Sequence, residues 1–160
     1  MIRRVRLAFA LSIAVPIAAG LVAPSFAADE HEHTAPASDA VGHTPRPADA
    51  KLYIISPKNG ETVKSPVKVR FGLSGMGVAP AGVASPSTGH HHLLIDAPLP
   101  PMDQPLAKDE HHLHFGGGQT EATIDLPPGD HTLQLMLADK NHMPFEPPLY
   151  SERIKIHVKK

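Results

Sequence analysis

No cysteine occurs anywhere in the 160 residues. Disulfides therefore staple nothing, and the hydrophobic core must hold the fold by itself. Thiolate zinc and copper sites, iron–sulfur clusters and cysteine nucleophiles are excluded as well. Any metal here is held by imidazole, carboxylate or thioether. No basic cluster is present, and the net charge is −1 with His neutral, which argues against a nucleic-acid partner. After the first 27 residues no apolar run is long enough to cross a bilayer, which takes about 20 residues. No amphipathic helical period stands out. Ser-His-Asp order and a paired-carboxylate pattern are also missing. Gly116-Gly117-Gly118 has no following helix with a Lys, so it reads as a turn or bulge and not as a phosphate cradle.

What is there begins with an export signal. Met1 to Arg6 is basic, Leu7 to Val22 is apolar around Pro16, and Ser25-Phe26-Ala27 is a small-x-small cleavage site. This pattern predicts a signal peptide over 1–27 and a periplasmic or secreted product with no membrane attachment after cleavage. Arg3-Arg4 is followed by residues that fit a twin-arginine signal poorly, so ordinary export is expected. No Cys follows the apolar region, so no lipid anchor is expected. The signal holds three of the 15 Lys and Arg and none of the Asp and Glu, leaving 12 basic against 16 acidic residues. Twelve His make the charge responsive to pH between about 5 and 7.5.

Residues 28–50 are rich in Ala, Pro, His, Asp and Glu and hold one large aliphatic, Val41. Such a stretch cannot bury enough apolar surface to offset its ordering entropy, and a disordered tail is expected. The folded domain is expected over 51–160. Short alternating segments, among them Val67 to Phe71, His91 to Ile95, Thr120 to Leu126, His131 to Ala138 and Tyr150 to Val158, are separated by Pro, Gly and Asn turns. About seven such strands predict an all-β, immunoglobulin-like antiparallel sandwich. Leu126-Pro127-Pro128-Gly129-Asp130-His131 resembles the corner of such domains where an aromatic ring bonds back to the backbone, with His131 in the usual place of Tyr.

Two His-x-His pairs carry the chemistry: His90 and His92 in one predicted strand, His112 and His114 in another. Residues i and i+2 of a strand share a face, roughly 6.5–7 Å apart along the chain. If the two strands are neighbours, opposed Cβ atoms come within about 4.5–5.5 Å, and three or four imidazoles can close on one ion. With Leu93, Ile95, Leu113 and Phe115 inward, parity turns both pairs outward and His91 and His111 inward. The alternative is a solvated sheet face, with Asp109 and Glu110 as charge partners of the second pair. His142 and Met143, in a Pro-rich loop, are further candidates, Met143 as a soft ligand. Imidazole sites suit Zn²⁺, Cu²⁺ and Ni²⁺; copper or zinc is the expected cofactor, copper slightly ahead on affinity order.

The Gly89 to Asp96 stretch, His112 to Gly116 with Gln119-Thr120-Glu121, Pro128 to Leu135, and Asn141 to Pro144 with Pro147-Pro148 and Ser151 occur in order. Together they resemble the bacterial exported family known as domain of unknown function 4399, over about Lys51 to Val158. The resemblance implies export and domain extent, and no activity. Members often carry a second His in the His142 loop, where this chain has Phe145. Three functions follow as expectations. The first is a periplasmic metal carrier or buffer, with an envelope protein as its possible partner. The second is a metal-free immunoglobulin-like interaction domain, presenting Pro98 to Pro105 and Pro144 to Pro148. The third is a redox enzyme, because His112-x-His114-Phe115-Gly116 resembles the copper-binding strand of copper–zinc superoxide dismutases.

Overall fold

A computed structural model describes residues 42–160, all within one compact unit. The signal peptide expected over 1–27, and the first part of the expected tail, lie outside the described residues. Among the described residues there is no helix, so none is long and apolar enough to cross a membrane. Nine strands among the described residues form two sheets. β1 (Lys51–Ser56), β3 (Val67–Ser74) and β7 (Glu121–Ile124) make a three-stranded antiparallel sheet in the order β1-β3-β7. The larger sheet runs β2-β9-β8-β5, built from β2 (Glu61–Lys64), β9 (Ile154–Lys159), β8 (Gly129–Ala138) and β5 (Thr88–Ile95). Beyond β5 lie two short strands, β4 (Gly77–Val78) and β6 (His112–Phe115), both paired to it.

The core lies between the sheets. Val67, Val69 and Phe71 from one sheet meet Leu93, Ile95, Leu133, Leu135, Leu137, Ile156 and Val158 from the other. Their period-2 spacing is what fixes register, since a one-residue slip would turn each set outward. The all-β sandwich expected from the sequence is therefore present. The strand count rises from seven to nine because the two-residue β4 and the four-residue β2 are too short to read as runs. The run expected from Tyr150 is broken. Residues 149–151 bond to β8 through Leu137 N–H to Leu149 O and Ser151 N–H to Leu135 O, and the regular strand starts only at Ile154.

Two other expectations are corrected. Residues 43–50 are not a free tail. The Thr44 hydroxyl donates to Asp139 Oδ2 at 2.6 Å, Glu146 N–H donates to Thr44 O, Arg46 Nε donates to Pro147 O at 2.8 Å, and Ala50 is buried in the core. This strap is held by polar groups and backbone, which a hydrophobicity argument does not register. Nor is the outer face of β5 and β8 solvated. Leu94, Met136 and Ala138 on that face are covered by Ala97, Leu99, Met102 and Leu106, making a second small core. The proline-rich crossing at 98–105 thus acts as a lid over the sheet.

Candidate metal centre

Register explains how the histidines meet. β5 and β6 are neighbours, and His92 stands directly opposite His114. His90 lies two residues along β5 on the same face, opposite Ala138 of β8. The small side chain of Ala138 leaves that end of the strand free for imidazole. His142 comes from the loop that follows β8. His90 and His92 are fully buried, at 0% and 1% exposure, and His114 and His142 are half-buried.

The four rings face one another. His90 Nε2 lies 3.1 Å from His92 Nε2, and His114 Nε2 lies 3.2 Å from His142 Nε2. Five of the six centroid separations fall between 4.8 and 5.0 Å; the sixth, His92 to His142, is 6.2 Å. His90, His114 and His142 bring ligand nitrogens within 4.8 Å of one another. His92 joins through its contacts with His90 and His114 and stands apart only from His142. At such separations the rings are nearly in contact, so the space among them is the size of an ion and not of an organic substrate.

The electrostatics suit metal ligands. Burial, with the neighbouring imidazoles His142 and His114, lowers the His90 pKa to about 4. Burial and the other three rings drive His92 lower still, to about 2. Burial and His142 lower His114 too. His90, His92 and His114 are therefore held toward the neutral form, with ring lone pairs available, the state that metal binding requires. The Nδ1 atoms of His90 and His92 are buried with no hydrogen-bond partner. Leaving a polar group so costs about 1–3 kcal/mol. Hydrogen bonds therefore do not explain why two imidazoles sit inside the sheet.

Local chemistry aims each ring. Gly116 follows His114 on the same face, and a Cβ there would come within 2.3 Å of His114 Cε1 and 2.6 Å of its Nε2. The glycine is the space in which the ring lies. His142 sits at φ 67°, a left-handed conformation uncommon outside Gly, Asn, Asp and His. Asp139, buried at the end of β8, holds it there. Asp139 O accepts from His142 N–H at 3.0 Å. Its Oδ1 accepts from Asn141 N–H at 2.8 Å and Met143 N–H at 2.9 Å, and its Oδ2 from the Thr44 hydroxyl. Sequence reasoning missed Asp139, although Asp at the head of an Asp-Lys-Asn-His turn was a legible Asx signal.

Of the residues singled out from sequence, the structure brings His90, His92, His114 and His142 together. His112 is not among them. It shares the face of His114 but stands opposite Leu94, and its Nδ1 lies 2.9 Å from Asp109 Oδ1. The acidic residue three positions earlier captures the ring before it can reach the cluster. Met143 is buried, with its backbone held by Asp139, and Phe145 is buried in the main core. His91 faces inward as parity predicts, against Phe71 and within 3.1 Å of Gln119 O. His111 does not. It is exposed at the mouth of β6, its Nδ1 2.9 Å from Ile95 O. The rule fails there because β6 begins only at His112. His131 bonds back to Pro127 O through Nε2 at 2.9 Å, the corner contact expected of it.

The family described as Domain of unknown function (DUF4399) matches residues 69–159. No curated protein and no solved structure matches the chain.

Proposed function

The chain belongs to the domain of unknown function 4399 family, and for this member we propose an exported metal-binding module of the periplasm. In this reading His90, His92, His114 and His142 hold one divalent transition-metal ion, zinc or copper, for carriage or buffering. The observation that carries it is the convergence of four imidazoles, two of them with Nε2 atoms 3.1 Å apart inside a β-sheet. Without an ion, the Nδ1 atoms of His90 and His92 are desolvated with no hydrogen bond in return, and the Nε2 atoms have only one another. A metal ion at the centre takes the lone pairs of the converging Nε2 atoms. The localisation rests on the signal pattern in residues 1–27, and a donor or acceptor protein of the envelope is the partner such a carrier needs.

The test is calorimetric titration of the purified, metal-stripped protein with Zn²⁺ and with Cu²⁺, alongside the His90→Ala/His114→Ala double variant. One equivalent of tight binding, lost in the variant, is expected. Equal weak binding by both proteins would sink the proposal and leave the four rings as core packing.

A further inference from the structure

The ring geometry also distinguishes between metals, a distinction that rests on the metal-binding function proposed for the cluster. With metal–nitrogen bonds of about 2.0–2.1 Å and about 1.1 Å from nitrogen to ring centre, four imidazoles in a regular tetrahedron have all six centroids about 5.2 Å apart. A square plane instead gives about 4.5 Å for four adjacent pairs and about 6.4 Å for two trans pairs. Five separations here are 4.8–5.0 Å and one is 6.2 Å. A square plane requires a second trans pair, which would have to be His90 and His114. Those two stand 5.0 Å apart.

The scaffold resists the change that would open them. His90 and His92 are fixed on β5, and His114 is fixed on β6 by register and by Gly116 beneath its ring. The fourth ligand sits on a loop that Asp139 ties down through two backbone N–H groups and Thr44. We infer that the four imidazoles form a tetrahedral site opened along the His92–His142 edge, built for a zinc-like ion and withholding the tetragonal geometry that Cu²⁺ prefers. The open edge adjoins the half-buried His142 and admits one further small ligand, water or an anion. Zn²⁺ can expand from four ligands to five.

Co²⁺ is the probe, because its visible absorption is strong in four- and five-coordinate sites and weak in octahedral ones. The metal-free protein is titrated with Co²⁺, then with Zn²⁺, while Cu²⁺ is added to a separate sample and followed by electron paramagnetic resonance. Expected are strong Co²⁺ absorption saturating at one equivalent, its loss on adding one equivalent of Zn²⁺, and a Cu²⁺ spectrum distorted from tetragonal. His92→Ala, checked for folding by thermal melting, is expected to keep Co²⁺ bound at least tenfold more weakly and with a changed band pattern. Weak octahedral-type absorption at one bound equivalent, or an ordinary tetragonal Cu²⁺ spectrum, would overturn the tetrahedral assignment while leaving metal binding intact. Failure of all three ions to bind would overturn both this inference and the function it rests on.

Discussion

β5 and β8 run antiparallel, and each end of the pair holds histidine in an opposite condition. At one end His90 and His92 meet His114 and His142, and the acid of that loop, Asp139, has its oxygens occupied by backbone N–H groups and Thr44. Burial there lowers the pKa of His90, His92 and His114. At the other end His131 sits between Asp96 Oδ2, at 2.7 Å, and Pro127 O, at 2.9 Å. Both contacts are acceptors, so both ring nitrogens donate. Burial opposes the charge, but the Asp96 carboxylate and the Pro127 carbonyl outweigh it and raise the pKa. The same side chain has its proton affinity lowered at one end of a strand pair and raised at the other. The difference lies in whether a carboxylate is free to face it.

The strongest way to break the comparison is to remove rings from the neutral end. His90→Ala with His114→Ala is expected to cut Zn²⁺ affinity by more than about a hundredfold, measured by calorimetry. His112→Ala, whose ring lies against Asp109, should change it little. Equal losses from the two would mean that the histidines act only through general charge.

The contrast also has a pH signature. His90, His91 and His92 have folded pKa values below the ordinary 6.5, so below that pH the unfolded chain binds more protons than the folded one. Stability of the metal-free protein is then full above about pH 6.5 and falls with acidification. For His91, which lies outside the cluster and is driven to about 4 by burial, the loss amounts to roughly 3 kcal/mol on reaching that pH. Denaturant unfolding between pH 7 and 4 with chelator present measures it. A flat profile would show that these rings are protonated in the folded state.

Much of this could be read from the chain. Alternation gave the strands, parity put His90 with His92, and the two His-x-His spacings suggested one site. Parity could not say what lay on the far side of the sheet. The cover is built from Ala97, Leu99, Met102 and Leu106, scattered through a proline-rich segment with no period of its own. The choice of His142 over His112 was also illegible, because it depends on two carboxylates, Asp109 and Asp139, each acting within a few residues on backbone and ring. Such short-range captures leave no trace in hydrophobic pattern.

A smaller effect is expected from Gly116→Ala. The added methyl group would meet the His114 ring at 2.3 Å, and the ring must swing away from His90 and His142. Zn²⁺ affinity should fall about tenfold, in the range seen when residues that orient metal ligands are removed, while the melting temperature of the metal-free protein changes little. If affinity is unchanged, the His114 ring is not held where the glycine places it.

The smallest effect belongs to the charged end, and Asp96→Asn isolates it. Asp96 lies at φ 54°, a conformation that Asn tolerates, and its Oδ1 accepts from Thr132 N–H at 2.6 Å, a bond an amide oxygen can keep. The substitution therefore removes the charge facing His131 and little else. The folded pKa of His131 is raised, so its contribution is complete below the unfolded value of about 6.5 and disappears as pH rises through the folded value. The variant should lose about 1 kcal/mol near pH 6 and nothing near pH 9, the reverse of the slope set by the buried rings. Zn²⁺ binding should be unaffected, because the pair stands at the far end of β5. A loss that is the same at both pH values would assign the role of Asp96 to the Thr132 bond and the turn, with no contribution from a charge on His131.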